Sequence, residues 1–149
     1  MKNHRIRERG AVAAQAAAMT GLLAVVMLLV MFTGRLVAAD SSVQAAAHEA
    51  ARAASLTGSA TAATKAAQAT AEANLNAGGR TCRTLTVTGD LVQPQPGGWV
   101  PVPDFEPGVW VSVTVSCTAD FSDMVLLGVP GSRSFTATAI EVVDTHRGG

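Results

Sequence analysis

The stretch that decides the architecture is Gly10–Gly34, GAVAAQAAAMTGLLAVVMLLVMFTG, which contains no charged residue. Its only distinctly polar members are Gln15, Thr20 and Thr33. A helix of about 20 apolar residues crosses the hydrocarbon core of a bilayer, whereas a soluble helix this apolar would need a core around it. The rest of the chain, in a protein that is only 4% aromatic, cannot supply that core. The segment therefore predicts a transmembrane helix over residues 11–34.

The charges that flank this segment predict its orientation. Residues 1–10 carry four Lys or Arg side chains against one acidic residue, Glu8, whereas Arg35 is a single cation at the far end. Because basic flanks stay in the cytoplasm, residues 1–10 are predicted to form a basic cytoplasmic leader. The chain from about Leu36 onward is then extracytoplasmic. We expect a single-pass protein of the cell membrane, in contact with membrane lipid.

An Ala-rich region, residues 35–79, follows the anchor and is predicted to be a helical stalk because Ala has the highest helix propensity. Gly58-Ser59 is its expected weak point, and Gly78-Gly79 is its expected end. A stripe of small residues recurs at helical spacing: Val43, Ala47, Ala50, Ala54 and Thr57. The stalk is either a flexible spacer or a helix made smooth so that copies can pack closely.

Residues 80–149 are predicted to be an extracytoplasmic β domain, because the sequence period changes there from helical to alternating. The predicted strands are Thr81–Thr88, Val109–Cys117 and Ser134–Asp144. The interval 90–108 is rich in Pro and Gly and predicts a long loop or irregular edge structure. The fold class is therefore α+β: a long amino-terminal helix that continues into the Ala-rich helix, then a small antiparallel sheet of three or four strands. We expect the helix over about residues 61–77 to cover the apolar face of this sheet.

Cys82 and Cys117 are the only cysteines, and they are either two free thiols or one disulfide. An extracytoplasmic location favours the disulfide, because disulfides persist in oxidising compartments. In a regular strand Cys82 would point with Thr84, away from the face that carries Cys117. A bridge therefore requires Cys82 to lie at a strand end or a bulge.

Residues capable of chemistry are few and scattered. Charged residues make up 15% of the chain and the net charge is zero, so no basic face predicts nucleic-acid binding. His4, His48 and His146 fall in three separate segments and do not predict a metal site or a catalytic triad. The sequence has no nucleophile elbow, no HExxH motif and no glycine-rich loop that opens a helix. We therefore predict no catalytic residue, no metal, no cofactor and no enzymatic activity.

Residues 7–15, RERGAVAAQ, run into the apolar helix and resemble the start of TadE-like proteins, the pseudopilins of bacterial Flp/Tad pilus systems. That family typically shows basic residues, then Arg-Gly-Ala, small residues, a Glu, a hydrophobic helix, and often Gly-Arg near its end, as in Gly34-Arg35 here. Residues 127–143, LGVPGSRSFTATAIEVV, also resemble the last strand region of such proteins. The resemblance implies a pilin-like protein that helps to build a surface pilus.

The resemblance also implies how this chain is processed and what it meets. A prepilin-type peptidase would cut after Gly10 and leave Ala11 as the new amino terminus. The implied partners are other pilin or pseudopilin subunits and the Tad assembly machinery. The family usually has Glu at the fifth position after the Gly, where a carboxylate can pair with the charged amino terminus of a neighbour. This chain has Gln15 there, which can form a hydrogen bond with that amine but cannot neutralise it.

Two other hypotheses about function also account for the apolar amino-terminal segment. One is a single-pass anchored domain, unrelated to pili, that binds an extracellular ligand through the loop containing Trp99. The other is a secreted protein released by cleavage after Ala39, since Val37-Ala38-Ala39 is a small-residue site of the type that signal peptidases cut.

Overall fold

The computed structural model describes residues 2–79, 81–106, 108–122 and 131–143, with side chains at residue 15 and from residue 17 onward. Within these ranges the chain forms two compact units, Met1–Val37 and Ala38–Gly149, each of which is described by itself. Three sequence features lie outside the described residues: His146, the predicted strand end at Asp144, and positions 127–130 of the resemblance.

The first unit is a single apolar helical segment. Helix α1 spans Lys2–Ser55, and its residues up to Val37 belong to this unit. No side chain described between residues 17 and 37 is buried, and Met31 is 71% exposed. The uncharged run predicted over residues 11–34 is therefore helical throughout, and its large Leu, Val and Met side chains between residues 19 and 31 are exposed within this unit.

The second unit begins with two helical segments separated by a short break. The end of α1, from Ala38 to Ser55, is followed by helix α2, which spans Ala60–Ala77. The break falls at Gly58-Ser59 as predicted, and the Ser59 hydroxyl accepts a hydrogen bond from the Ala62 backbone N–H at 3.3 Å, which caps the new helix. Gly79 has a φ of 66°, the left-handed conformation that ends many helices.

Four antiparallel strands complete the second unit, in the spatial order β2-β1-β3-β4. Their bounds are β1, Cys82–Gln95; β2, Gly98–Pro101; β3, Trp110–Asp120; and β4, Ser132–Val142. This arrangement confirms the α+β fold class, with a long apolar helix, an Ala-rich helical region and a four-stranded sheet. Strands β1, β3 and β4 overlap the three strands predicted from the sequence, and β2 is a fourth strand for which no range was predicted.

Of the two alternatives predicted for residues 90–108, the long loop was wrong up to Pro101, because β1 continues to Gln95 and turns back into β2, an edge strand. Its prolines are tolerated for a geometric reason. Val102 donates its backbone N–H to the Leu91 carbonyl at 2.9 Å, so the backbone groups of odd-numbered β1 residues point toward β2. The nitrogen of Pro94 therefore points the other way, beyond Val92, the last β1 residue that pairs with β3. No ladder hydrogen bond is lost there.

The hydrophobic core of the second unit lies between its helices and one face of the sheet. The helix predicted over residues 61–77 covers only part of this face, since α1 contributes a buried stripe as well. Each helix contributes mainly Ala and the sheet contributes mainly Val. The buried members of the cluster are Val43, Ala46, Ala47, Ala50, Ala51, Ala54, Ala63, Ala67, Ala71, Leu75, Val111, Val113, Val115, Cys117, Ala139 and Val143.

Candidate functional site

The residues implied in processing and assembly all lie in the amino-terminal part of α1. Gly10 and Ala11 are helical, and Gln15 is an exposed residue of the same helix. From Ala17 onward α1 is long and apolar enough to cross a membrane, and 6% of its most apolar window is buried. The three residues singled out by the resemblance thus lie on one helical segment, and the one side chain described among them, that of Gln15, is exposed.

The structure joins Cys82 and Cys117 in a disulfide, with their Cα atoms 5.4 Å apart, as the extracytoplasmic hypothesis favoured. The bond links the start of β1 to the far end of β3. An edge-to-face pair lies at the same end of the sheet, with the ring centroids of Phe121 and Phe135 6.4 Å apart. A disulfide and an aromatic contact therefore hold the strands together at this end of the sheet.

A β-bulge explains how Cys82 reaches the core face. Cys82 pairs with Ala119 and Thr84 pairs with Thr118, so Arg83 is an extra residue in β1. The side-chain alternation shifts by one position across the bulge, and Leu85 then pairs with Cys117 on the core side. Both conditions inferred from the sequence are met, since Cys82 lies at a strand end and next to a bulge.

The outer face of the sheet carries an ordered array of hydroxyl groups, which we call the hydroxyl face. Strand register places Thr or Ser side chains of β1, β3 and β4 in three cross-strand rows. In each row the β3 and β4 hydroxyls are hydrogen-bonded to each other, at 2.7 to 2.9 Å. The rows are Thr84, Thr118 and Ser134; Thr86, Ser116 and Thr136; and Thr88, Thr114 and Thr138.

One end of this outer face is apolar instead. Trp99 and Trp110 contact each other edge-on, with ring centroids 5.5 Å apart. They flank Val92, which is 7% exposed even though it lies on the face away from the core. Trp99 itself is 46% exposed. The outer face thus carries a small aromatic patch and the hydroxyl rows, with a row of Asp90, Ser112 and Ile140 between them.

Asp120 is the one described titratable group with a clear pKa shift. The Ser122 backbone N–H donates a hydrogen bond to its Oδ1 atom at 2.8 Å, and this bond lowers the pKa of the carboxyl below its ordinary value of 3.8. The Ser122 side chain and the charge of Arg83 act in the same direction. Because Asp120 is fully exposed, this arrangement fixes a turn after β3 and does not create a catalytic acid.

The described residues line a small cavity on the core side of the sheet. It has a volume of about 40 Å³ and lies where Ala54 and Ala63 approach Val113, with Thr64 also in its wall. A space of that size holds a few water molecules at most. Within the described ranges no three His, Cys, Asp or Glu side chains are placed to hold a metal ion.

The fold and these features define a class of protein: an α+β domain with one disulfide, preceded along the chain by a helix able to span a membrane. Comparison of the chain with protein-family models, with curated proteins and with solved structures found no match.

The hydroxyl face and the tryptophan pair were not singled out as sites from the sequence. The Thr-x-Thr-x-Thr pattern over residues 84–88 indicates one strand of the hydroxyl face. The cross-strand rows themselves depend on strand register, which the sequence does not give.

Proposed function

We propose that this protein is a TadE-like pseudopilin or assembly factor of a bacterial Flp/Tad-type pilus, anchored in the cell membrane by α1. It acts through helix packing and protein–protein contacts, with its amino terminus in the cytoplasm and its second unit outside. The observation that carries this proposal is the exposure of the apolar part of α1.

Solvent energetics support the anchor. Leu23, Met27 and Met31 are each more than 60% exposed on α1. Burying one such side chain is worth about 1.5–3 kcal/mol, so a series of them left in water is unfavourable. Lipid removes that cost and requires every backbone group to be hydrogen-bonded internally, which an uninterrupted helix provides.

The leader and Gln15 supply the pilus part of the proposal. Gly10 and Ala11 match the family's cleavage position, so the mature chain begins at Ala11 and keeps its anchor. Gln15 offers hydrogen bonds to the amino terminus of a neighbouring subunit without the charge of the usual Glu. This chain therefore joins an assembly more weakly than a family member with the carboxylate would, which suits a minor or priming subunit.

A second candidate function is an anchored domain that binds an extracellular ligand unrelated to pili. The contact between Trp99 and Trp110 on the outer face favours it, because an exposed aromatic side chain beside hydroxyl groups offers a ligand both apolar contact and hydrogen bonds. The secreted alternative has less support. The Ala39–Asp40 bond lies inside α1, and the Ala39 side chain is 4% exposed.

Intact-mass measurement on the membrane-extracted chain tests the proposal. A mature form that begins at Ala11, dependent on a prepilin peptidase, is the expected result. A form that begins at Asp40 and is found in the medium would exclude both anchored functions. An uncut chain in the membrane would favour the ligand-binding anchor over the pseudopilin.

Gln15 provides a second test in a strain that produces the pilus. Gln15→Glu should increase the amount of protein recovered with the pilus fraction, because it restores the charge pair with a neighbour's amino terminus. Gln15→Ala, the matched control, removes the hydrogen-bonding group and should lower the recovery. Equal recovery of all three proteins would argue against assembly through this position.

A further inference from the structure

We propose that β4 pairs edge to edge with β4 of a second copy of this chain, antiparallel and centred on Ala137. The two sheets would join into one continuous eight-stranded sheet. This inference concerns the second unit alone, and it does not depend on the membrane anchor or on pilus assembly.

The outer edge of β4 is suited to pairing. β4 pairs with β3 over eleven consecutive positions without a register shift, and no strand in the described part of the chain pairs with its other side. Soluble proteins protect such edges with charged side chains, Pro, a bulge or a covering segment. The sequence of Ser132–Val142 contains no Pro, its pairing with β3 contains no bulge, and its two charges, Arg133 and Glu141, have opposite signs.

The hydrogen-bond phase of β4 restricts the registers that are possible. Val143 donates its backbone N–H to the Val109 carbonyl at 2.8 Å, and Phe121 donates to the Gly131 carbonyl at the other end of the same ladder. Odd-numbered residues of β4 therefore form their hydrogen bonds toward β3. The backbone groups of the even-numbered residues, including Thr136 and Thr138, point to the outer edge, with which no strand in the described ranges pairs.

One register satisfies this phase and also matches the charges. When two copies of β4 are centred on Ala137, all eleven residues of each strand pair, because Ser132 falls opposite Val142 of the other copy. Thr136 then falls opposite Thr138, both with outward backbone groups. Arg133 falls opposite Glu141, and the two-fold symmetry repeats this charge pair at the other end of the strand.

Both charges lack a partner within the described chain. Across β3, Arg133 is opposite Ala119 and Glu141 is opposite Val111, and the described residues contain no ion pair with either side chain. In the proposed dimer, Arg133 and Glu141 occupy non-hydrogen-bonded positions, where facing side chains come closest. Opposite charges at such positions stabilise a strand pair. This self-complementarity identifies the partner as a second copy.

The register can be tested by cysteine cross-linking of the full-length chain in membranes. Ala137→Cys places two thiols opposite each other at the symmetry centre, within the Cα separation that a disulfide requires. We expect this variant to give the strongest covalent dimer on a non-reducing gel, with peptide mass spectrometry confirming the 137–137 bond. Thr136→Cys and Thr138→Cys, the controls, should cross-link poorly alone but to each other when the two chains are mixed.

Charge reversal tests the partner. Arg133→Glu alone and Glu141→Arg alone each create two like-charge pairs in the homodimer, and we expect self-association to weaken about tenfold. When differently tagged copies of the two variants are mixed in detergent, opposite charges face each other again, and we expect a heterodimer as stable as the parent dimer. The double variant Arg133→Glu/Glu141→Arg should also dimerise like the parent.

Three results would overturn the proposal. One is a parent chain that shows no self-association. Another is preferential cross-linking of Thr136→Cys or Thr138→Cys with itself, which indicates another register. The last is equal self-association of the parent and both single charge variants, which indicates that the copies meet through another surface, such as α1.

Discussion

The two parts of helix α1 use apolar residues in opposite ways. Between residues 19 and 31 the large Leu, Val and Met side chains are exposed, with Val26 at 48% and Met27 at 68%. After residue 38 the small side chains of Ala46, Ala50 and Ala54 are fully buried. The same helix thus has exposed large side chains in the first unit and buried Ala side chains in the core of the second.

This contrast indicates which environment each part fits. Large flexible side chains gain contact area in any fluid apolar surrounding, and they do not require a particular partner. Ala gains little area on burial, so an Ala-lined helix stabilises a core only when backbones approach closely. The first part is therefore adapted to an environment such as the proposed lipid, whereas the second is adapted to one specific protein contact.

The largest expected effect comes from removing the disulfide, which lies wholly within the second unit. Replacing both cysteines, Cys82→Ala with Cys117→Ala, should lower the free energy of unfolding of the second unit by about 3–4 kcal/mol, because the unfolded chain loses a closed loop. Chemical denaturation with and without reductant measures this change. Membrane association should be unaffected, and a variant that also leaves the membrane fraction would contradict the independence of the two units.

A charge in the first part of α1 tests the proposed lipid contact. Val26→Arg should disfavour insertion by about 2.5–3.5 kcal/mol, the cost of Arg at the centre of a membrane helix. Fractionation of cells into membrane and soluble material measures it. Ala45→Arg is the matched control, at an exposed position of the second part, and should have little effect. Equal fractionation of both variants would argue against a membrane span.

A larger side chain tests the close packing of the second part. Ala50→Leu should destabilise the second unit by about 1–3 kcal/mol, because the Ala50 side chain is fully buried and the helix would have to move away. Ala45→Leu adds the same atoms at an exposed position and should be nearly neutral. Thermal unfolding of the two variants gives the comparison, and a stabilising Ala50→Leu would mean that the core is loosely packed.

The smallest expected effect concerns pH and the turn after β3. Because the folded pKa of Asp120 lies below 3.8, the turn contributes stability above that value, and this contribution is lost as the pH falls through the folded pKa. An NMR titration of the Asp120 carboxyl should give a midpoint below 3.8. Ser122→Pro removes the backbone N–H donor and should raise that midpoint, whereas Ser122→Ala keeps this donor. An unchanged midpoint in Ser122→Pro would contradict the assigned cause.

Much of the fold could be predicted because local sequence and final structure agree. Val109–Cys117 alternates without interruption, and the observed β3 has the same residues alternately buried and half-buried. The helix break at Gly58-Ser59 follows from glycine's low helix propensity and serine's preference for the first cap position. The buried stripe over Val43 and Ala54 follows from spacing alone.

The remainder depends on pairing, which the sequence does not specify locally. Pro94 and Pro101 signalled a loop, yet each lies where a strand needs no N–H donor, and only the register reveals this. The hydroxyl rows likewise need three strands in a known order. Gln15, the proposed assembly residue, could be located from a motif, but its partner would belong to another chain, so one sequence carries no information about the contact.

The bulge at Arg83 has a consequence for how this domain can vary in length. Cys82 and Leu85 both face the core although two residues separate them, so the strand contains one residue more than regular alternation requires. A deletion of one residue between them would restore a regular strand and leave both side chains facing inward. A deletion between Leu85 and Leu91 would turn one of these two inward side chains to the outer face. The start of β1 is therefore the place where this sheet can tolerate a shortening of the chain.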